Sequence, residues 1–249
     1  MVEFADMKHP ATTFLAAAFA AALAAGCGGS GTDAAPARGD DAPLVAVMMP
    51  EVPPYTYLDP DTGEPAGIDV EIVRAAAAKL GRPLEIRVMP FAGILPAVKD
   101  GKADFAIAAI TITEGRSRNA DFSDPYAEEG CSFLYRTGTT PPTMIRAESL
   151  RVGVVESMSS DFYLTRHGIE PFRYGSLAEA VPDLREGRLD TIFYDRPALL
   201  SAVAESGGAL SVTPLETREH YGVAVRKGRP DLLAAVNAAI RDRKEGGAK

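Results

Sequence analysis

Ala108-Ala109-Ile110-Thr111-Ile112-Thr113-Glu114-Gly115-Arg116-Ser117-Arg118-Asn119-Ala120-Asp121-Phe122-Ser123-Asp124-Pro125-Tyr126 is the stretch on which the fold of this chain turns. It opens as the end of an apolar run, Ala103 to Ile110, then turns polar and sets Thr111, Thr113 and Arg116 within six residues. A buried strand that delivers hydroxyls and a guanidinium at its carboxyl end is suited to a carboxylate. Arginine offers a planar fork for two oxygens and threonine adds a short donor. A surface arginine after a core strand is the other reading, and these residues alone do not choose. Pro125 biases Asp124 away from helix, so Phe122 to Tyr126 reads as a break that braces the loop holding Arg116.

Working outward, strands and helices alternate. Leu44 to Met49 reads as a strand, Asp69 to Leu80 as a helix, Leu84 to Met89 as a strand, Phe91 to Val98 as a helix and Asp104 to Ile110 as a strand. Thr137 to Glu148, with Pro141-Pro142, reads as a linker. A second set follows: strand Leu150 to Val155, helix Ser159 to His167, extended Pro171 to Tyr174, helix Leu177 to Glu186, strand Leu189 to Tyr194 ending on Asp195, and helix Pro197 to Glu205. Strand Tyr221 to Val225 and amphipathic helix Asp231 to Arg241 close the chain. Such alternation predicts an α/β fold with mostly parallel sheets flanked by helices. Ligands of such sheets bind beyond the carboxyl ends of the strands, where the opening stretch lies.

One internal echo divides the chain. Asp100-Gly-Lys-Ala-Asp104 precedes the first core strand and Glu186-Gly-Arg-Leu-Asp190 precedes a second. The first strand delivers Thr111 and Arg116; the second delivers Asp195. Two similar lobes facing one cleft would place a cation and hydroxyls opposite an anion, with Ser157, Ser159 and Ser160 at a helix start, whose free amides attract anions. An α-amino acid fits that polarity, its carboxylate to Arg116 and its ammonium to Asp195. The alternative for Asp195 is an ion pair with neighbouring Arg196.

The 249 residues carry a net charge of −8 with no basic run, which argues against nucleic acid. His9, His167 and His220 are scattered without metal-ligand spacing, and neither a metal nor a cofactor is expected. Met7-Lys8-His9 leads into an apolar, alanine-rich run, Phe14 to Ala25, with the pattern of a secretory leader. Glu3 and Asp6 are odd in such a leader and point to Met7 as the start. Leu23-Ala-Ala-Gly-Cys27 resembles a bacterial lipobox, so Cys27 is the expected lipidation site after a signal peptide of residues 1–26. Residues 27–43 then form a flexible tether. Cys131, in the apolar run Cys131-Ser-Phe-Leu-Tyr, reads as a buried structural thiol without a disulfide partner.

Taken together, Gly67-Ile-Asp-Val-Glu, Asp100-Gly-Lys-Ala-Asp, Ile110-Thr-Ile-Thr-Glu-Gly-Arg116, Asp121-Phe-Ser-Asp-Pro-Tyr126 and Tyr221-Gly-Val-Ala-Val-Arg-Lys-Gly resemble the family-3 bacterial extracellular solute-binding proteins, over about Leu44 to Lys244. The resemblance implies a two-lobed type II periplasmic-binding fold with two crossing hinge strands, near Thr137 to Pro142 and Leu215 to His220. It implies a first lobe from 44–137, a second from 138–216 and a return from 217–249, with a final helix shorter than the family's. That would leave apolar surface open on the first lobe. By position, Arg116, Thr111, Ala109 (through its backbone) and Ser159 would take a ligand carboxylate, and Asp195 an ammonium. Phe91, Glu51, Val52 and Met158 would line the side-chain pocket.

Met49, Val52 and Met158 stand where family members more often carry polar or aromatic groups, which weakens a case for a cationic ligand unless Glu51 restores it. The implied protein is a monomeric, lipid-anchored, periplasmic or surface lipoprotein handing a small solute to an ABC-transporter permease. The alternatives are a cyclohexadienyl (prephenate or arogenate) dehydratase on the same scaffold and a sensor module. Asp195 is shorter than the glutamate such an enzyme wants.

Overall fold

The computed structural model describes residues 42–246; the leader, the start site, Cys27 and nearly all of the tether lie outside them. Two five-stranded sheets carry the architecture. In the first, the spatial order is Leu84–Val88, Leu44–Met48, Phe105–Ile107, Ala224–Val225, Asp121–Phe122. In the second it is Phe172–Tyr174, Val152–Val155, Thr191–Asp195, Cys131–Arg136, Leu210–Val212. In each sheet the first three strands pair parallel, the fourth runs antiparallel to the third, and the fifth pairs antiparallel with the fourth.

The inner parallel strands are apolar runs because both their faces are covered, whereas the edge strands Leu84–Val88 and Phe172–Tyr174 carry charged residues and are largely exposed. Leu44–Met48 is buried at every position. Leu44, Ala46 and Met48 face helices Ile68–Lys79 and Pro230–Gly246 on the outside. Val45 and Val47 join an inner cluster that continues through Phe91 and Ile94 to Leu134, Val155, Ile192 and Tyr194 of the second lobe. Phe133, Val152, Val154 and Phe193 form the second lobe's outer core. The outer face of the first lobe is not left open: Leu232, Ala235, Val236, Ala239 and Ile240 of the last described helix bury it.

The echoed turns are structurally equivalent. Asp104 donates its amide to Val45 O at 2.7 Å and accepts Val45 N at 3.0 Å on its side chain. Asp190 repeats both bonds with Arg151, at 2.9 and 2.8 Å. Each aspartate precedes the third strand of its sheet and ties it to the neighbouring second strand. Gly101 and Gly187, both with positive φ (70° and 77°), end the preceding helices.

The first hinge crossing lies elsewhere than expected, while the second overlaps the expected Leu215 to His220. Strands Ala127–Glu129 and Glu219–Tyr221 pair antiparallel and join the lobes. Cys131–Arg136 already belongs to the second sheet, so the first crossing comes at 127–130 and not at 137–142. The prolines mark a loop after that strand. Cys131 to Leu134 is buried throughout, and such a continuous run fits the centre of either sheet, which is why its lobe was not readable. Tyr221–Val225 is likewise two strands, one in the hinge and one in the first sheet. At the hinge, a Cβ on Gly130 would lie 2.1 Å from Thr217 O, backbone that cannot yield. Gly130→Ala is therefore expected to cost about 3 kcal/mol in urea unfolding, at the severe end of overpacking; a midpoint equal to that of the unaltered protein would contradict the packing.

Candidate functional site

The opening stretch forms less strand than its apolar run predicts. Regular pairing stops at Ile107, and Ala109 adopts φ 50°, left-handed for a residue with a Cβ. Such backbone persists only where neighbours hold it. Here Asp69, at the start of helix Ile68–Lys79, accepts Ala109 N at 2.9 Å. Gly67 makes that approach possible: with φ 113°, its Cβ would sit 2.2 Å from Tyr55 O. Asp69 is fully buried, and burial pushes its carboxyl up to about 7. The Tyr126 hydroxyl lies beside it without closing a hydrogen bond of ordinary geometry. Tyr55, Tyr126 and Tyr221 stack around this spot, with centroids 6.1 and 5.3 Å from Tyr55. Asp69 and Tyr126 are thus the braces of the loop.

After the bend, Thr111 bridges to Tyr221 and Thr113 caps the short helix Glu114–Ser117, accepting Arg116 N. The Arg116 guanidinium folds back to donate to Thr111 O at 2.9 Å and lies over the Phe91 ring, 5.1 Å from its centroid. Its environment strips water from it, while Asp195 and Glu219 favour its charge. From the second lobe, Asp195 ends strand Thr191–Asp195 and Ser159 begins helix Ser159–Arg166. The hydroxyls of Thr111 and Ser159 approach to 3.5 Å, so the two lobes meet here. Ser157, just before, is also left-handed at φ 66°.

The structure therefore brings together Arg116, Thr111, Ser159 and Asp195. Asp195 makes no ion pair with Arg196, whose guanidinium donates instead to Thr213 O. The Ala109 amide is committed to Asp69, which leaves its carbonyl as the backbone group open to a ligand. Phe91 lies under Arg116. Val52 and Met158 are buried in the inter-lobe apolar cluster. Glu51 is half-buried and lines a cavity of about 640 Å³ between the lobes, shared with Tyr57, Leu177, Val181, Arg185 and Ala198. Burial, and then Glu179 across the cleft, raises its pKa.

Three functional neighbours were not foreseen. Glu219, Cys131 and Tyr221 come from the hinge and the strand that follows it, and atoms of Cys131, Asp195 and Glu219 lie within 4.8 Å of one another. Among the described residues no other group has spacing for a metal ion, and the Arg116 charge beside this one disfavours a dication there. Burial, with Asp195 and Glu219, pushes the Cys131 thiol well up, so it is an inert neutral donor. Asp195 itself is pushed up to about 7, by burial first and Glu219 second, against the pull of Arg116. The signal that could have found Glu219 was its place just before Tyr221-Gly-Val-Ala.

A family model described as bacterial extracellular solute-binding proteins, family 3, matches residues 44–248. The chain belongs to that family. It is 30% identical over 245 residues to a "probable histidine-binding protein" of Neisseria gonorrhoeae, covering 94% of this chain and 91% of that one. Among solved structures it is similar to an ancestral arginine-binding protein bound to glutamine, with 32% identity, a TM-score of 0.75 and coverage of 83% and 93%. It is also similar to an ancestral amino-acid-binding protein described as a precursor of cyclohexadienyl dehydratase, with 27% identity, a TM-score of 0.73 and coverage of 83% and 91%. The two-lobed type II periplasmic-binding architecture is that of these neighbours.

Asp69 and Asp195 have pKa values near 7 against an ordinary 3.8. The unfolded chain binds fewer protons between those values, so their contribution is full below 3.8 and lost as pH rises through 7. Asp59, Asp183, Asp190 and Asp231 are lowered and act below that window. The ligand-free protein is expected to melt at a lower temperature at pH 8 than at pH 5.5, and Asp69→Asn to shrink the difference. A melting temperature that climbs across this range in both proteins would refute the assignment.

Proposed function

We propose that this solute-binding family member closes its lobes on an α-amino acid or similar small zwitterion. The solute carboxylate lies against Arg116 and the start of helix Ser159–Arg166, and its ammonium against Asp195. The observation that carries the reading is the meeting of Arg116 and Asp195, from opposite lobes, in one buried site. Either charge alone in that place would cost several kcal/mol, roughly, and the zwitterion compensates both. It thereby favours the closed arrangement over the open one. The solute side chain extends toward Phe91, Val52, Met158 and Glu51 and the cavity beyond.

The protein is the extracytoplasmic binding component of an ABC importer, a role in keeping with relatives named for binding amino acids, and it is a binding protein rather than an enzyme. The finer picture has Cys27 lipidated, residues 27–43 as a tether, and a monomer delivering its solute to the permease.

A thermal-shift screen of the tether-free protein against the twenty amino acids tests this. An amino acid at a hundredfold its dissociation constant should add about 2.7 kcal/mol of stability. Arg116→Ala and Asp195→Ala should each weaken it by about a hundredfold, as loss of one partner of a buried charge pair does. Unchanged affinity in both variants, or turnover of prephenate, would remove the reading.

Affinity should also depend on pH. Asp195 must be ionised to pair with an ammonium, and its pKa of about 7 in the free protein means that binding releases its proton at lower pH. Calorimetry from pH 8 down to 5.5 should show affinity falling toward tenfold per unit below about 7. Affinity that rises on acidification is the contrary result.

A further inference from the structure

Hydrogen-bond accounting at the hinge assigns Glu219 a part in this site. Glu219 is 8% exposed and receives three donors. Thr217 Oγ1 at 2.9 Å and Cys131 Sγ at 3.2 Å reach Oε1, and Thr111 Oγ1 at 2.5 Å reaches Oε2. Thr217 also accepts Cys131 N at 2.8 Å, so both hinge crossings converge on this carboxylate.

A hydroxyl has one proton and two lone pairs. Thr111 spends its proton on Glu219, since the Ser159 hydroxyl is an ångström farther away. What Thr111 can offer a ligand is therefore a lone pair, and a lone pair meets an ammonium and repels a carboxylate. This changes the part expected of Thr111, which was grouped with the carboxylate-binding residues. Asp195, the other anion, is poorly supplied: the one Cys131 thiol proton is nearer Glu219, at 3.2 Å against 3.7 Å to Asp195 Oδ1, and the buried Tyr221 hydroxyl beside Asp195 closes no hydrogen bond of ordinary geometry.

We propose that Glu219 is a positioning residue of the ammonium subsite: it draws the Thr111 hydroxyl proton toward the hinge, so that Thr111 Oγ1 and Asp195 accept the solute ammonium together. This rests on the amino-acid reading of the cleft. Arg116 alone of the groups around the pair is cationic; Cys131, Tyr221, Tyr194 and Glu129 complete the surroundings and none of them supplies a positive charge. Glu219 never touches the solute; it sets which way a hydroxyl that does touch it points.

The test is Glu219→Gln, read with paired probes: each amino acid that binds in the screen, and the 2-hydroxy acid with the same side chain. A glutamine amide can donate to Thr111, turning its proton toward the ligand, where it opposes an ammonium. A 2-hydroxyl donates or accepts as required and is indifferent. Glu219→Gln should weaken the amino acid at least tenfold, about 1.4 kcal/mol, and the hydroxy acid less than twofold. Thr111→Val should show the same selective loss and Thr111→Ser should restore amino-acid affinity. Equal weakening of both probes in Glu219→Gln would mean a merely structural role and overturn the proposal; so would no change in either. Failure of every amino acid to bind the unaltered protein would overturn the function proposed for the cleft and this assignment with it, whereas binding without selectivity overturns this assignment alone.

Discussion

Two carboxylates and one guanidinium are buried where the lobes and the hinge meet, and the rest of the structure is arranged so that this is tolerable. Asp195 lies 2% exposed at a strand end. Glu219 is offset by three hydrogen bonds, and Arg116 is spread over an aromatic ring and a carbonyl. What is left unmet is the Asp195 carboxylate and the outer edge of the guanidinium. These are a charge of each sign, held on separate lobes. Opposite charges in a poorly screened site attract strongly but repay their desolvation only with good geometry and further hydrogen bonds. Surface ion pairs such as Lys79–Asp242 and Arg118–Glu114 are well exposed and contribute little by comparison.

The sheets deliver these groups by the same device used twice. Asp104 and Asp190 each lock the third strand of a sheet to its neighbouring second strand through a reciprocal pair of bonds, fixing the register of the strand that carries the site. That repetition was readable in the sequence, because an Asp after a Gly turn and before an apolar run is a pattern of residue types. So were the inner parallel strands, whose burial on both faces leaves continuous apolar runs, and most helices. Asp195 and Ser159 were legible for the same reason, since one ends a strand and the other starts a helix, and Thr111 and Arg116 because they follow an apolar run that turns abruptly polar.

What was not legible depends on contacts far apart in the chain. The hinge strands are three residues each, with mixed polarity, and nothing local distinguishes them from loop. Strand Leu210–Val212 and the short pairs near Glu51, Thr56 and Pro65 are similarly brief. The strand ending at Ile110 was overestimated because its apolar run continues past the bend; the left-handed turn at Ala109 is imposed by Asp69, forty residues earlier. Glu219 looked like an ordinary charged residue between Arg218 and His220. Its role follows from Cys131, Thr217 and Thr111 converging on it, which no periodicity announces.

Hinge and site are therefore not separable parts. Glu219 and Tyr221 lie on one crossing strand, Glu129 holds Tyr55 from the other, and Cys131 follows directly after. A hinge made only of flexible backbone would bend without regard to what lies in the cleft. This one carries buried polar side chains whose partners belong to both lobes: Thr111 in the first, Asp195 in the second. Opening the lobes must pull Thr111 and Asp195 apart around a fixed Glu219, and such a change costs least when water can reach the carboxylates. Closing them dry is favourable only if something cationic replaces that water beside Asp195 and something anionic replaces it beside Arg116. The same side chains that make the closed form expensive when bare make it stable when both demands are met by one small molecule. Discrimination and closure then follow from a single balance of buried charge.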